Sequence, residues 1–552
     1  MDAAQLLPRP STGTGTAAAP LAGLPHERTG WSPRVGVAVT AAMAVLWLIL
    51  DPRTADLAAA VYRARLFARA GFALWDNAWF GGHHLLGYSL VFPALSALAG
   101  PRVVGACSVV ASAALFAHLA RRHAWPRAEL GAIWFGLAVG GDLFIGRLTF
   151  ALGVALALGA VVAWSHDRAL ACVALSCGAA AASPVVGLFL VLVAVAGYAV
   201  LGRAGSVRIG VPALITAVVL AFVFPEGGNQ PYDLSAALWA LAITVAVAAC
   251  VDQRWRSPWL AMRLYAVAIV LAFLVPSPMG SNIARLGVLF AGPLLLGATR
   301  DVRRPLVIAA CSAIAFWQLW GPTTEVLKAT DNPAVSPSYS RPLLAYLSAA
   351  GAADARIEVV PTSTRWEAVY IARRFALARG WETQLDRRYN TLFYRGRLTA
   401  GRYRHWLDAV GVRLVALPDS PLDRWAQAEG RLVRSRPAFL RLVWHSRHWQ
   451  VFSVEHPISL VNGPGRLVDL RTTSFTVVAR HAGAILVRVR FTSFWHVHGP
   501  GCVAPGPAGW TLLRARRPGT IRVSAAWSWA SALQEDAPCA PSPVVPARAT
   551  PR

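Results

Sequence analysis

The chain has 552 residues, 56% of them hydrophobic and only 14% charged, with a mean hydropathy of +0.47. Those values exclude an ordinary soluble protein of this size and place the chain among integral membrane proteins. The formal charge of +26 is carried almost wholly by arginine, with Lys328 the single lysine. Arginines dispersed between apolar runs act as topology and headgroup signals rather than as a nucleic-acid footprint, so nucleic acid is not an expected partner.

Residues 1–32 are polar and rich in Pro, Ala and Thr, which reads as a disordered cytoplasmic tail without the apolar core of a signal peptide. Apolar stretches then recur at 33–50, 101–120, 128–143, 147–164, 168–182, 184–202, 208–224, 234–251, 261–276, 284–299 and 304–320, about eleven expected spans within a membrane domain at 33–320. Arginine concentrates in alternate loops: RRHAWPR (121–127), SHDR (165–168), GRAGSVR (202–208), DQRWR (252–256) and TRDVRR (299–304). By the positive-inside rule those loops are cytoplasmic. The loop 51–100 and everything after about residue 321 then lie outside, on a multi-pass protein of the plasma (inner) membrane. Cys502 and Cys539 fall in this outer part, where a disulfide is chemically permitted.

The first span stops at Asp51-Pro52, because proline cannot continue the preceding helix. Asp is also a good N-cap and Pro a good first helical residue, so DPRTADLAAAVYRARLFARAG is expected to start a new helix on Asp51 that lies along the outer headgroup plane. Asp56 then sits about 140° around that helix from Asp51, on a face shared with Arg63, and caps nothing. It is the freer carboxylate, with a solvated charge paired to a neighbouring arginine as the plainer reading.

The loop continues as GFALWDNAWFGGHHLLGYSLVFPAL (71–95). An acid soon after the first span, an interfacial helix, a Gly-x3-Trp stretch, a Gly-Gly, a Tyr and a Pro before the second span resemble the first outer loop of GT-C glycosyltransferases. The likeness is greatest to bacterial membrane proteins of the YfhO-like and 6-pyruvoyl-tetrahydropterin-synthase-related type. It is carried by Asp56, Gly71, Trp75, Gly81, Gly82, Tyr88 and Pro93. The resemblance implies a catalytic role for Asp56, with Asp51 in reserve, and a polyprenyl-phosphate sugar as donor. It leaves open a divalent cation, Mg or Mn, as cofactor.

Such chemistry needs a carboxylate to take the acceptor proton and cationic groups or a metal at the phosphate leaving group. Further candidates for substrate binding are Trp75, Asp76, His83 and Tyr88 in the loop, Asp142 and Arg147 in the second outer turn, and Arg285 at the mouth of a later span. His83 and His84, being adjacent, lack helical ligand spacing and read as polar interface residues.

After Trp320, residues 321–340 read as a Pro- and Ser-rich linker. Residues 341–434 alternate helical and strand signals, an α/β unit. From 435 to 535 the pattern turns to period two, a β-sandwich, with FLRLVWHSRHWQVFSVEH and WTLLRARRPGTIRVSAAW as hairpins. A second disordered tail is expected at 536–552. In RGWETQLDRRYNTLFYRG (379–396), Trp381, Asp386 and Tyr389 suit a sugar surface, and equally suit packing of the outer domain onto the membrane domain.

The fold class read from the sequence is thus a polytopic α-helical membrane protein, GT-C-like, with a C-terminal extracytoplasmic α/β plus β-sandwich domain. Two functions fit it. One is an extracytoplasmic glycosyltransferase moving a sugar from a polyprenyl-phosphate donor to a cell-envelope glycan or lipid. The other is a non-catalytic protein of the same architecture that binds, assembles or transports an envelope lipid or glycan. An ordinary secondary transporter is disfavoured by the few acids inside the spans and the large outer domain.

Overall fold

The computed structural model describes residues 34–123, 125–251, 256–299, 305–533 and 539. The two expected tails, Cys539 apart, and most of the arginine loops at 252–256 and 299–304 lie outside these residues. Each of the eleven apolar stretches is a helix: α1 (Arg34–Leu50), then, after two short helices α2 (Ala55–Ala70) and α3 (Phe92–Ala99), α4 (Pro101–Arg122), α5 (Ala128–Ile145), α6 (Leu148–Ser165), α7 (Ala169–Ala182), α8 (Pro184–Ala196), α9 (Tyr198–Val223), α10 (Leu234–Cys250), α11 (Arg256–Leu274), α12 (Ala284–Ala298) and α13 (Pro305–Ala329). Six are by themselves long and apolar enough to cross a membrane, and α1 with α2 forms a seventh candidate bent by 78°. The shorter apolar helices pack against their neighbours, α7 on α6, α8 on α9 and α10 on α11, and as helices they bond their own backbone groups, as the bilayer requires.

Small residues set the closest contacts. α1 meets α5 where a Cβ on Gly36 would stand 2.6 Å from the carbonyl oxygen of Ala132, and one on Gly136 would stand 2.5 Å from Thr40 Oγ1. Without a hydrophobic drive between helices in lipid, such close backbone approach is what dispersion needs.

Expectations about element boundaries are corrected at two points in this region. α2 begins at Ala55 with Thr54 in the cap position, not on Asp51. It turns 78° from α1, and Leu57 to Ala64 are all buried, because the C-terminal domain sits over the helix and covers its second face. The stretch 321–340 is not an extended linker, since α13 runs through Pro322 to Ala329 and α14 (Pro337–Ala349) follows after one short turn. An unbroken helix thus carries Glu325 and Lys328 up from the bundle.

In the loop after α2, β1 (Trp75–Asp76) and β2 (His83–His84) pair antiparallel. The α/β unit has a five-stranded sheet in the order β4-β3-β5-β7-β6, from β3 (Arg356–Val359), β4 (Ala376–Leu377), β5 (Val412–Pro418), β6 (Leu440–His445) and β7 (Trp449–Val454). Its helices are α15 (Glu367–Tyr370), α16 (Thr383–Tyr389), α17 (Ala400–Val410) and α18 (Gln427–Arg434). The first expected hairpin, 439–456, therefore belongs to this sheet, where β7 pairs antiparallel with β5, and not to the sandwich.

The sandwich starts at β8 (Val461–Asn462) and continues with β9 (Gly465–Arg471), β10 (Ser474–Ala479), β11 (Gly483–Arg490), β12 (Trp495–His498), β13 (Gly501–Pro505), β14 (Trp510–Ala515) and β15 (Gly519–Ala525). Its two sheets run β12-β15-β10-β9 and β13-β14-β11-β8. The second expected hairpin, β14 and β15, instead crosses between them. Ile485, Val487 and Val489 face the core along β11, as the alternation requires. Cys502 and Cys539 are joined by a disulfide.

The loop motif is a plug between domains. Trp75 packs in the sandwich core, Asn77 Nδ2 donates to Arg471 O at 2.9 Å, Trp79 Nε1 donates to Ala368 O at 3.0 Å, and Arg490 Nε donates to Phe80 O at 2.9 Å. The glycines follow from that crowding: Gly82 has φ +130° and a Cβ there would lie 2.4 Å from the Trp75 ring.

Candidate functional site

The site is built around the turn that joins α5 to α6. Gly146 closes α5 at φ +94°, and Thr54 Oγ1 donates to Ile145 O at 2.9 Å, which seats the start of α2 on that turn. Arg147 follows directly, with Nε 3.4 Å from Asp56 Oδ2 and Nη1 3.4 Å from Asp142 Oδ1. Asp56 stands in the first turn of α2, where the helix dipole favours an anion. A Cβ on Gly146 would lie 2.4 Å from Leu57 N. Gly146→Ala is accordingly expected to displace α2 and cost about 2 kcal/mol or more, read as a lowered thermal midpoint of the full-length protein in nanodiscs.

Asp56 and Arg147 open onto a cavity of about 910 Å³ between the bundle and the α/β unit. The bundle contributes Tyr88, Glu226, Asn282, Arg285, Glu325 and Lys328, and the α/β unit contributes Arg365, Trp381, Glu382, Gln384, Arg388 and Asp423. Most of these charges are paired: Lys328 with Glu325 at 2.6 Å, Arg365 with Asp423 at 3.3 Å, and Glu226 with His84 Nδ1 at 3.1 Å. Arg285 differs. Among the described residues it forms no ion pair, and its guanidinium lies 5.3 Å from the Phe150 ring centroid.

Phe150 and Leu286, the residue after Arg285, line a second cavity of about 360 Å³ inside the bundle, bounded by α4, α6, α8, α10, α11 and α12 and walled almost entirely by apolar side chains. Arg285 therefore stands in the wall of the charged cavity and beside a ring that lines the apolar one.

Of the residues expected from sequence, Asp56, Tyr88, Arg147, Arg285 and Trp381 line the charged cavity, and Asp142 supports Arg147 from inside α5. The others do not. Asp51 closes α1 at φ +46° and pairs with Arg53 and Arg102, away from the cavity. Trp75 is held in the sandwich core. Asp76 is fully buried, accepting from Tyr62 Oη at 2.7 Å, and burial pushes its carboxyl up to about 6. His83 stacks on Trp79 and is pushed down to about 3 by burial, so it is a neutral packing residue.

Tyr389 lies under Arg490, 3.4 Å from ring centroid to guanidinium. Asp386 is fully buried in the fork of Arg379 at 2.5 Å and accepts also from Asn390 and Tyr394, which leaves it no oxygen for a ligand. Of the two readings of 379–396, Trp381 serves both: it lines the cavity, and its Nε1 donates to Ala55 O at 2.7 Å. Asp386 and Tyr389 serve packing.

Sequence reasoning missed Glu382. Its Oε1 accepts from Arg63 Nη2 at 2.9 Å, across 319 residues, while among the described residues its Oε2 and the Nε and Nη1 of Arg63 are buried without partners. Arg63 also stacks over Tyr88, 3.8 Å from the ring centroid, and holds Glu382 from behind the cavity wall. Glu382, which is in that wall, suits a hydroxyl group. No local pattern could reveal the pair, because neither residue has its partner within its own segment.

Burial raises Glu382 to about 7 against the pull of Arg63. Because the folded value lies above the unfolded one, the folded state holds the extra proton between about pH 4.5 and 7, and stability falls as pH rises through that window. Glu382→Gln is expected to remove this part of the pH dependence, at most about 3 kcal/mol, seen as the difference between the two thermal-midpoint-against-pH curves.

The donor set fits a divalent cation poorly. Asp56 and Asp142 are both turned to Arg147, and among the described residues no three His, Cys, Asp or Glu side chains converge as metal ligands. Arg147 and Arg285 already supply the positive charge there.

Fold and site together define a polytopic helical membrane protein whose C-terminal α/β unit roofs a charged cavity and carries a β-sandwich beyond it, with a separate apolar cavity inside the bundle. No family model matches the chain, and no curated protein matches it. Nine chains among solved structures do. One is the cryo-EM structure of the arabinofuranosyltransferase AftD from Mycobacteria, at 16% identity and a TM-score of 0.45, over 79% of this chain and 40% of that one. The chain thus spans less than half the length of that neighbour.

Proposed function

We propose that the protein is an extracytoplasmic glycosyltransferase of GT-C type that moves a sugar from a polyprenyl-phosphate donor to a cell-envelope glycan or lipid. One observation carries the reading: Arg285, without an ion-pair partner among the described residues, lines the cavity that holds Asp56 and Arg147 and lies 5.3 Å from the ring of Phe150, which lines the apolar cavity. An isoprenoid tail suits the apolar cavity, and Arg147 and Arg285 suit its phosphate, as charge-assisted donors to an anion do. Tyr88 and Trp381 give the cavity wall aromatic surface for a sugar, and Glu382 suits one of its hydroxyls.

In the reaction the acceptor oxygen bonds to the anomeric carbon, the anomeric carbon–phosphate oxygen bond breaks, and polyprenyl phosphate leaves. Asp56 takes the acceptor proton. Arg147 and Arg285 balance the charge that grows on the leaving phosphate. On this reading the N-terminus is cytoplasmic, the cavity faces the outer compartment, and the GT-C resemblance of the first loop, its YfhO-like character included, reflects shared architecture. The Asp56–Arg147 pair is also what the second reading, a non-catalytic lipid or glycan binder, requires.

The test uses wild type and Asp56→Asn in lipid nanodiscs with a panel of polyprenyl-phosphate sugars, measuring thermal stabilisation and release of polyprenyl phosphate. Binding by both with release by wild type alone supports transfer. Binding by both without release supports the binder, and no binding by wild type removes both lipid-linked readings.

A further inference from the structure

The sandwich ends in a stretch, AAWSWASAL (525–533), that carries no charge and contains the short helix α19 (Trp529–Ala532). Its geometry is well determined by its own bonds. Ala526 N donates to Phe494 O at 3.0 Å, Ser528 Oγ caps α19 by accepting from Ser531 N at 3.0 Å, and Ser493 Oγ donates to Ser531 O at 2.8 Å. The disulfide from Cys539 to Cys502 ties down the chain beyond it, so the stretch is held at both ends.

A segment so constrained nevertheless turns its largest apolar side chains outward: Trp529 is 76% exposed, Leu533 53% and Trp527 47%. The stretch is not isolated on the sandwich surface. Trp527 stacks on Phe494 (5.8 Å, 20°), and Phe494 stacks on Phe224 (5.8 Å, 30°), the residue that caps the C-terminal end of α9. Ala532 is buried in one cluster with Leu220, Phe224 and Phe494. Just below, α9 exposes Ile215, Val218 and Val219, the face a spanning helix turns to lipid.

We infer that residues 526–533 form a membrane-interface strap, in which Trp527, Trp529 and Leu533 enter the headgroup region of the leaflet where α9 emerges. The continuity with α9 names the occupant. An unbroken series of ring contacts leads from Phe224, at the end of a spanning helix, through Phe494 and Trp527 to Trp529, which ties the exposed tryptophans to the point where α9 leaves the apolar part of the bundle. Tryptophan is the residue that gains most there, with an apolar ring in the acyl boundary and an N–H among headgroups. The strap anchors the far unit of the C-terminal domain to the membrane, independently of what the cavity does.

The experiment places the photoreactive amino acid p-benzoylphenylalanine at Trp529 in the full-length protein, in nanodiscs of phosphatidylethanolamine and phosphatidylglycerol, followed by irradiation and mass spectrometry of the peptides. The same probe at Val219 is the lipid-facing reference, and at Val468, an exposed position on β9, the solvent-facing one. Lipid adducts at position 529 within about threefold of those at 219 and about tenfold above those at 468 are expected. Adducts at 219 but none at 529, or cross-links from 529 only to residues 540–552 or to a second copy of the chain, overturn the strap. Should the Trp529 replacement fail to accumulate, the probe at Leu533 carries the same reading.

Discussion

Asp56→Asn is expected to lower sugar transfer by about a thousandfold while leaving donor binding and thermal stability nearly unchanged. The magnitude follows from the role: removing a positioned general base costs about 10²–10⁴ in rate. Stability is spared for a separate reason. The Asp56–Arg147 contact is long, at 3.4 Å, and its two side chains are 30% and 26% exposed, so the pair contributes at most about 1 kcal/mol. Arg147 keeps Asp142 as partner in the variant. Asp51→Asn is the control, because Asp51 points away from the cavity and is 45% exposed; its transfer rate should stay within about twofold of wild type. Initial rates of polyprenyl-phosphate release, with donor binding measured alongside, decide it. A fully active Asp56→Asn would remove Asp56 as the base and leave the binder reading in place.

Arg379→Met is expected to destabilise the α/β unit by about 3–5 kcal/mol, the largest stability effect anticipated for one substitution in this chain. Arg379 is 2% exposed and reaches two fully buried carboxylates, Asp386 at 2.5 Å and Glu429 at 2.9 Å. Burial works to raise Asp386, but the guanidinium and its bonds hold the carboxyl below the usual range. Glu429 is raised by burial despite Arg379, and the neighbouring Glu358 is raised well above the usual range by burial and by the Glu429 charge. Methionine would fill much of the space but leave Asp386 and Glu429 without a counter-charge. The readout is loss of protection from proteolysis and hydrogen exchange over 356–454 in the full-length protein. A variant with unchanged protection would mean that the carboxylates neutralise at little cost.

The helices were legible because the bilayer demands long apolar runs, and every such run in the chain is a helix. Asp56 stands out over Asp51 in the sequence because it caps nothing and because the first-loop resemblance points to it, while its place in the cavity wall comes from the tertiary structure. Asp386 and Asp76 misled, because a carboxylate beside aromatics reads the same whether it faces a sugar or a buried arginine or tyrosine. Period-two strands were recognisable one at a time, but not their sheets: β7 pairs with β5, and β14 and β15 part company, through contacts between distant segments.

By itself the sequence determined the membrane class, the apolar helices and the sheet-rich C-terminal region, since each depends on composition or periodicity within a single segment. Only the tertiary structure decided that α2 is buried under the C-terminal domain, that Glu382 meets Arg63 and that Arg285 lines the cavity with Asp56 and Arg147. Those features are made by pairs of segments up to some three hundred residues apart, and burial, pairing and enclosure are properties of the pair that neither segment carries alone.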